Sequence, residues 1–128
     1  MIAADGAPGS VRAGVRTLIV EDDRVSREAL TRILRIKGYD VRGVETMQDG
    51  MAALVDKPAC VILDLMLPDG MGTEILKRIR AEGLAIRVAL LTGADRPLVE
   101  EARQFKPDEV FAKPVDLARL LGWLDGKP

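Results

Sequence analysis

Five residues of this 128-residue chain carry groups able to do chemistry together, and each follows a short apolar run. Glu21 and Asp22 follow residues 17–20, Asp64 follows 59–63, Thr92 follows 87–91 and Lys113 follows 109–112. Three carboxylates and one ammonium in a single pocket would repel strongly, and a divalent cation would relieve that; an all-oxygen set suits Mg²⁺. A carboxylate can attack phosphorus to form an aspartyl phosphate. The transferred group spreads negative charge over its outer oxygens, which a metal, a lysine and a hydroxyl can neutralise. Asp64 then serves as nucleophile, Glu21 and Asp22 as metal ligands, and Thr92 and Lys113 as oxygen partners. The chain has no histidine, which removes Ser-His-Asp and Cys-His nucleophiles and most zinc sites.

These residues can meet only if the intervening chain folds as strands and helices in alternation. Residues 17–20 read as a β-branched strand, and a helix is expected over 24–37. Its apolar positions Val25, Ala29, Ile33 and Ile36 recur at helical spacing, and Gly38 stands where a C-terminal cap belongs. Residues 41–44 form a second strand ending in Val44, which brings nothing to the site. A helix over 47–56 follows, with Thr46 as N-cap and Pro58 as stop. The run 59–63 is apolar throughout, as expected of a strand covered on both faces. After it come the loop 65–72, a helix over 73–81, a strand over 87–91, a short helix from Pro97, a strand over 109–112 and a helix over 116–124. Five βα units imply an α/β fold of one domain: a doubly wound parallel five-stranded sheet with five helices on both faces. If the strand order is 2-1-3-4-5, the five side chains converge at the carboxyl edge, where open α/β sheets bind ligands.

Composition sets the outer limits. A 48% hydrophobic, 30% charged chain is ordinary for a globular protein, and 3% aromatics make the core aliphatic. A net charge of −1 gives no reason to expect direct nucleic-acid contact. No apolar stretch approaches the ~20 residues that would span a membrane. The lone Cys60 reads as a small buried hydrophobe, and a cytoplasmic setting follows as the default. Residues 1–15 read as a flexible tail without signal-peptide character, residues 16–124 as the domain, and 125–128 as its end.

The segments Leu18-Ile19-Val20-Glu21-Asp22-Asp23, Val61-Ile62-Leu63-Asp64-Leu65-Met66-Leu67-Pro68, Leu90-Leu91-Thr92-Gly93 and Phe111-Ala112-Lys113-Pro114 resemble the receiver domains of bacterial two-component response regulators. Their order and spacing match over about 16–124. The resemblance implies the flavodoxin-like fold and phosphorylation of Asp64 by a sensor histidine kinase or histidine phosphotransfer protein. It implies Mg²⁺ held by Asp22 and Asp64, by Glu21 largely through water, and by the Met66 carbonyl. It also implies that Thr92 and Lys113 face the phosphoryl group, that Gly93 keeps the approach clear, and that the bond before Pro114 is cis. Asp23 is then the cap of the first helix and Asp22 the ligand. Arg27, Arg32 and Arg35 read as a solvated face of that helix, which could also meet a kinase.

One departure concerns signalling. The family usually places an aromatic residue three positions before the lysine; here Val110 stands there, and Phe111, one place later, should face the opposite side of the sheet. Any signal is therefore expected to travel through the 92–96 loop and the helix after it. Output is expected through protein contacts, to a downstream partner or an attached output domain. A dimer through the fourth helix, fifth strand and fifth helix (97–105 and 110–124) is implied by family habit. Trp123 reads as core or helix-end packing. Two alternatives stand. A phosphohydrolase using an aspartyl phosphate would want a second aspartate two positions after the nucleophile, where Met66 stands. A pseudo-receiver docking scaffold would usually have lost the acid pair, nucleophile or lysine, all present here.

Overall fold

The protein is described by a computed structural model covering residues 14–93 and 96–126. Residues 1–13 of the expected tail, Ala94 and Asp95 of the expected signalling loop, and residues 127–128 lie outside it.

The elements run β1 (Arg16–Val20), α1 (Arg24–Ile36), β2 (Asp40–Val44), α2 (Met47–Ala53), a 3-10 turn (Leu54–Asp56) and β3 (Cys60–Asp64). A short hairpin of β4 (Met66–Leu67) and β5 (Gly70–Met71) follows, then α3 (Thr73–Ala81), β6 (Arg87–Thr92), α4 (Arg96–Arg103), β7 (Glu109–Ala112) and α5 (Leu117–Leu124). The main sheet has the order β2-β1-β3-β6-β7 and every pairing in it is parallel. Setting the hairpin aside, this is the expected 2-1-3-4-5.

Strand alternation sorts the core into two layers. Leu18, Val20, Val61, Leu63, Val88 and Leu90 face Ile75, Leu76 and Ile79 of α3 and Ala102 of α4. Ile19, Ile62, Leu91 and Phe111 face Leu34 of α1 and Leu120 and Leu124 of α5. Both layers are almost wholly aliphatic, and each fully buried Leu, Ile or Val contributes about 1.5–3 kcal/mol of transfer free energy. Cys60 is buried, as expected. Trp123 meets the ring of Phe111 edge-on at 6.4 Å and carries the Arg87 guanidinium over its face at 4.1 Å, a packing role.

Several local expectations are corrected. On α1 the face turned inward is that of Leu30, Ile33 and Leu34, whereas Val25 and Ile36 are 77% and 75% exposed. Leu30 and Leu34 form the i, i+4 ridge that the sheet accepts. Arg27 and Arg35 are not simply solvated: they donate to the carbonyls of Glu21 and Val41, both at 2.9 Å, and pin α1 to the sheet. The helix expected over 47–56 becomes 3-10 after Ala53, and Lys57, at φ 52°, ends it before Pro58. Asp64 and Thr92 are the last residues of their strands, each still in ladder register, with Leu91 and Ala112 respectively. The Val44 carbonyl accepts the Glu21 amide at 3.0 Å, which carries the β1–β2 ladder one bond past the strand end. The capping expectations hold: Asp23 accepts from the Ser26 amide, Thr46 from Asp49, and Gly38 follows α1 at φ 101°.

Candidate functional site

Register places the functional residues at one height. Val20 pairs with Leu63, Asp64 with Leu91 and Thr92 with Ala112, so the residues that end or follow these strands share the carboxyl rim. The Lys113 amide donates to the Thr92 carbonyl at 2.8 Å, and the Leu65 amide to Leu91 at 3.0 Å, which carries the alignment one step past the strands. The peptide bond between Lys113 and Pro114 is cis.

The side chains converge. Lys113 Nζ donates to Asp64 Oδ2 at 2.7 Å and to Glu21 Oε1 at 3.0 Å. The other Asp64 oxygen accepts the Met66 amide at 3.2 Å, and the other Glu21 oxygen accepts the Asp23 amide at 3.1 Å. One ligand oxygen each from Glu21, Asp22 and Asp64 lies within 4.8 Å of the others. Asp64, Met66, Thr92, Gly93 and Lys113 line one cavity of about 240 Å³. Thr92 is 5% exposed, and a Cβ built on Gly93 would meet nothing within 4 Å among the described residues.

Electrostatics is adverse without a further cation. Glu21 and Asp64 are buried and Asp22 is exposed. Burial, and then the neighbouring Asp64, push the Glu21 carboxyl above the usual carboxylate range, against the pull of Lys113. Burial disfavours the Lys113 ammonium, but its hydrogen bonds to Asp64 and Glu21 more than offset this, so its pKa is raised. The donor set fits a hard cation: ligands of one octahedral Mg²⁺ lie roughly 3 to 4.2 Å apart, which the 4.8 Å bound on these oxygens accommodates.

A family model for the response regulator receiver domain matches residues 17–125. The chain belongs to the response regulator receiver family. It is 38% identical over 112 residues to response regulator MprA of Mycolicibacterium vanbaalenii and 36% to that of Mycobacterium tuberculosis, in each case over 84% of this chain and 47% of the relative. The receiver thus spans about half the length of the curated relatives it matches. Solved structures agree: the CheY-like receiver domain from Methylobacillus flagellatus superposes with a TM-score of 0.77 at 27% identity, covering 89% of this chain and 98% of that one. The CheY-like receiver domain protein from Methanospirillum hungatei gives 0.77 at 26%, over 89% and 96%.

Two features of the site escaped the sequence reading. Asp69, in the turn of the β4–β5 hairpin, accepts the Met47 and Gln48 amides at 2.7 and 3.0 Å and ties the loop after Asp64 to the start of α2. Those amide bonds hold its carboxyl below the usual range. Gly72 lies so close beneath β3 that a Cβ there would stand 2.0 Å from the Asp64 carbonyl oxygen. The first contact joins residues more than twenty positions apart and leaves no local signal; the second could have been suspected from a glycine directly before a helix.

Proposed function

We propose that this receiver accepts a phosphoryl group on Asp64 from the phosphohistidine of a sensor histidine kinase or histidine phosphotransfer protein. The observation that carries the reading is the single ammonium of Lys113 spanning Glu21 and Asp64 beside three clustered carboxylate oxygens. Asp22 and Asp64, with the Met66 carbonyl, would hold Mg²⁺. Glu21, whose two oxygens accept from the Asp23 amide and Lys113, would act on the ion largely through water, as the resemblance to the family implies. When bound, Mg²⁺ supplies charge neutralisation for the phosphoryl oxygens.

The chain's own residues do the rest. The Met66 amide and Lys113 fix the two Asp64 oxygens, so the nucleophile is oriented before the donor arrives. An Asp64 oxygen bonds to phosphorus as the bond from phosphorus to the imidazole nitrogen breaks. Lys113, already on Asp64, is in reach of the oxygens that arrive, and Thr92 lines the same cavity. Gly93 brings no side chain to the donor's approach. The receiver assists its own phosphorylation and dephosphorylation without turning over a separate substrate. The new charge shifts the population of a second conformation and so changes protein contacts. Those contacts involve a downstream partner or an attached output domain in the cytoplasm, with dimerisation through 97–105 and 110–124.

The test is incubation with Mg²⁺ and a small phosphodonor, read by intact mass. One added phosphoryl group, lost in Asp64→Asn, is expected. No addition under forcing conditions would leave the docking-scaffold reading, and sustained ester hydrolysis would favour the phosphohydrolase.

A further inference from the structure

We infer that Arg27 is a positioning residue that holds the acidic loop 21–23 in the shape Glu21 and Asp22 need to share a divalent cation, an inference that rests on the proposed Mg²⁺ site. The loop is three consecutive acids between β1 and α1, and their mutual repulsion favours a more open path. Arg24, nearest in sequence, is committed elsewhere, pairing with Glu28 at 3.0 Å on the exposed face. Arg27, one turn further on and only partly exposed, bends back. Its Nη1 donates to the Glu21 carbonyl at 2.9 Å and leans toward that of Asp22 at 3.4 Å.

The choice of acceptor matters. Lys113 occupies carboxylate oxygens, which are the atoms a cation would use. Arg27 binds backbone oxygens, so it brings positive charge to the loop without taking a carboxylate oxygen. Outer partners that fix the orientation of metal ligands in this way commonly carry a large share of the affinity.

A second observation supports the same role. On β2, Gly43 has no left-handed φ to explain it; a Cβ there would meet Arg27 Cγ at 3.2 Å, Thr31 Oγ1 at 3.2 Å and Arg27 Cδ at 3.4 Å. The glycine makes room for the stem of Arg27 and so sets where its guanidinium ends.

The test is calorimetric titration of the whole chain with Mg²⁺, with thermal melts in chelator alongside. Arg27→Met, which keeps the stem, is expected to weaken Mg²⁺ affinity about tenfold. Arg27→Lys should recover part of the loss, and Gly43→Ala should weaken affinity to a smaller extent. Arg35→Met is the control: it loses an equivalent bond from α1 to the Val41 carbonyl, and should lower the melting temperature without changing Mg²⁺ affinity. Equal affinity in Arg27→Met and the unaltered chain, or an equal loss in Arg35→Met, would overturn the inference while leaving the metal site intact. No binding by the unaltered chain would overturn the site itself and the inference with it. Should Arg27→Met fail to fold, Arg27→Lys and Gly43→Ala decide.

Discussion

Replacing Glu21 by Gln is expected to stabilise the metal-free protein, although it removes an ion pair. Glu21 is 3% exposed, its nearest ligand oxygen lies within 4.8 Å of those of Asp22 and Asp64, and Lys113 is 3.0 Å away. At an effective dielectric constant of about 20, each repulsion at that limit is worth about 3.5 kcal/mol and the attraction about 5.5 kcal/mol. Dehydration of the buried carboxylate, the largest cause of its raised pKa, adds to these repulsions, and together they outweigh the Lys113 attraction. Glutamine keeps the volume but has one carbonyl oxygen for two donors, Lys113 and the Asp23 amide, which returns about 1 kcal/mol of the gain. A net gain of about 1–2 kcal/mol remains, or about 4–8 °C in melting temperature for a chain of this size. Melts in chelator read it directly. Saturating Mg²⁺ should reverse the ranking, because an ion at 100 times its dissociation constant adds about 2.7 kcal/mol to the unaltered protein and much less to the variant. A lower melting temperature for Glu21→Gln in chelator would refute this electrostatic account.

The raised Glu21 pKa adds a pH test. Its folded pKa lies above its unfolded one, so its contribution to metal-free stability is present at low pH and lost as pH rises through the folded pKa. Mg²⁺ protection should run the other way, falling as pH drops toward the upper carboxylate range, since the ion needs the ionised form; melts across pH with and without Mg²⁺ would show the two slopes. Lys113→Met should tighten Mg²⁺ binding several-fold, because the ammonium and the ion compete for the same oxygens, while slowing phosphoryl labelling; calorimetry and mass kinetics separate the two. Gly72→Ala should cost about 1–3 kcal/mol and depress labelling, since its Cβ falls on the Asp64 backbone, which denaturant melts and intact mass would check. Phe111 is 1% exposed and packs against Trp123 in the layer opposite Val110. A phosphoryl mimic should therefore leave the emission of this lone tryptophan unchanged.

How much of this was legible in the sequence depended on the range of the interaction. Apolar runs bounded by Gly, Pro and acids placed the five main strands to within a residue, because strand and turn chemistry is local. The site residues were legible for the same reason, each marked by the end of a run. The α1 face was misread because Val25, Ala29 and Ile36 fit a helical period as well as Leu30 and Leu34 do; only the sheet beneath decides between the two stripes. The Asp69 cap on α2 and the Arg27 bond to the acidic loop depend on side chains reaching other elements. No window of sequence holds both partners of the Asp69 contact. Arg27 does stand close to its acceptors in sequence, but an arginine within an otherwise charged helix gave no sign that it bends back.

The rim and the core answer to opposite demands. Three carboxylates, one of them the buried Glu21, make the metal-free rim unfavourable, and among the described residues nothing at the rim compensates fully: Lys113 serves two acids at once, and Arg27 steadies only backbone. The stability must come from elsewhere, and the two aliphatic layers beneath, with Leu18, Ile19, Val20, Ile62 and Leu63 all at most 2% exposed, supply it. Those layers hold the strand ends in register, so the acids cannot relax by moving apart. An unrelieved charge imbalance held in place is what makes a cation and a phosphoryl group, arriving together, favourable ligands. A variant that loosened this register, such as a large-to-small change at Leu63 beside Asp64, should therefore weaken Mg²⁺ binding as well as stability, whereas an equal loss of core packing at Leu124, near the end of α5, should lower stability alone.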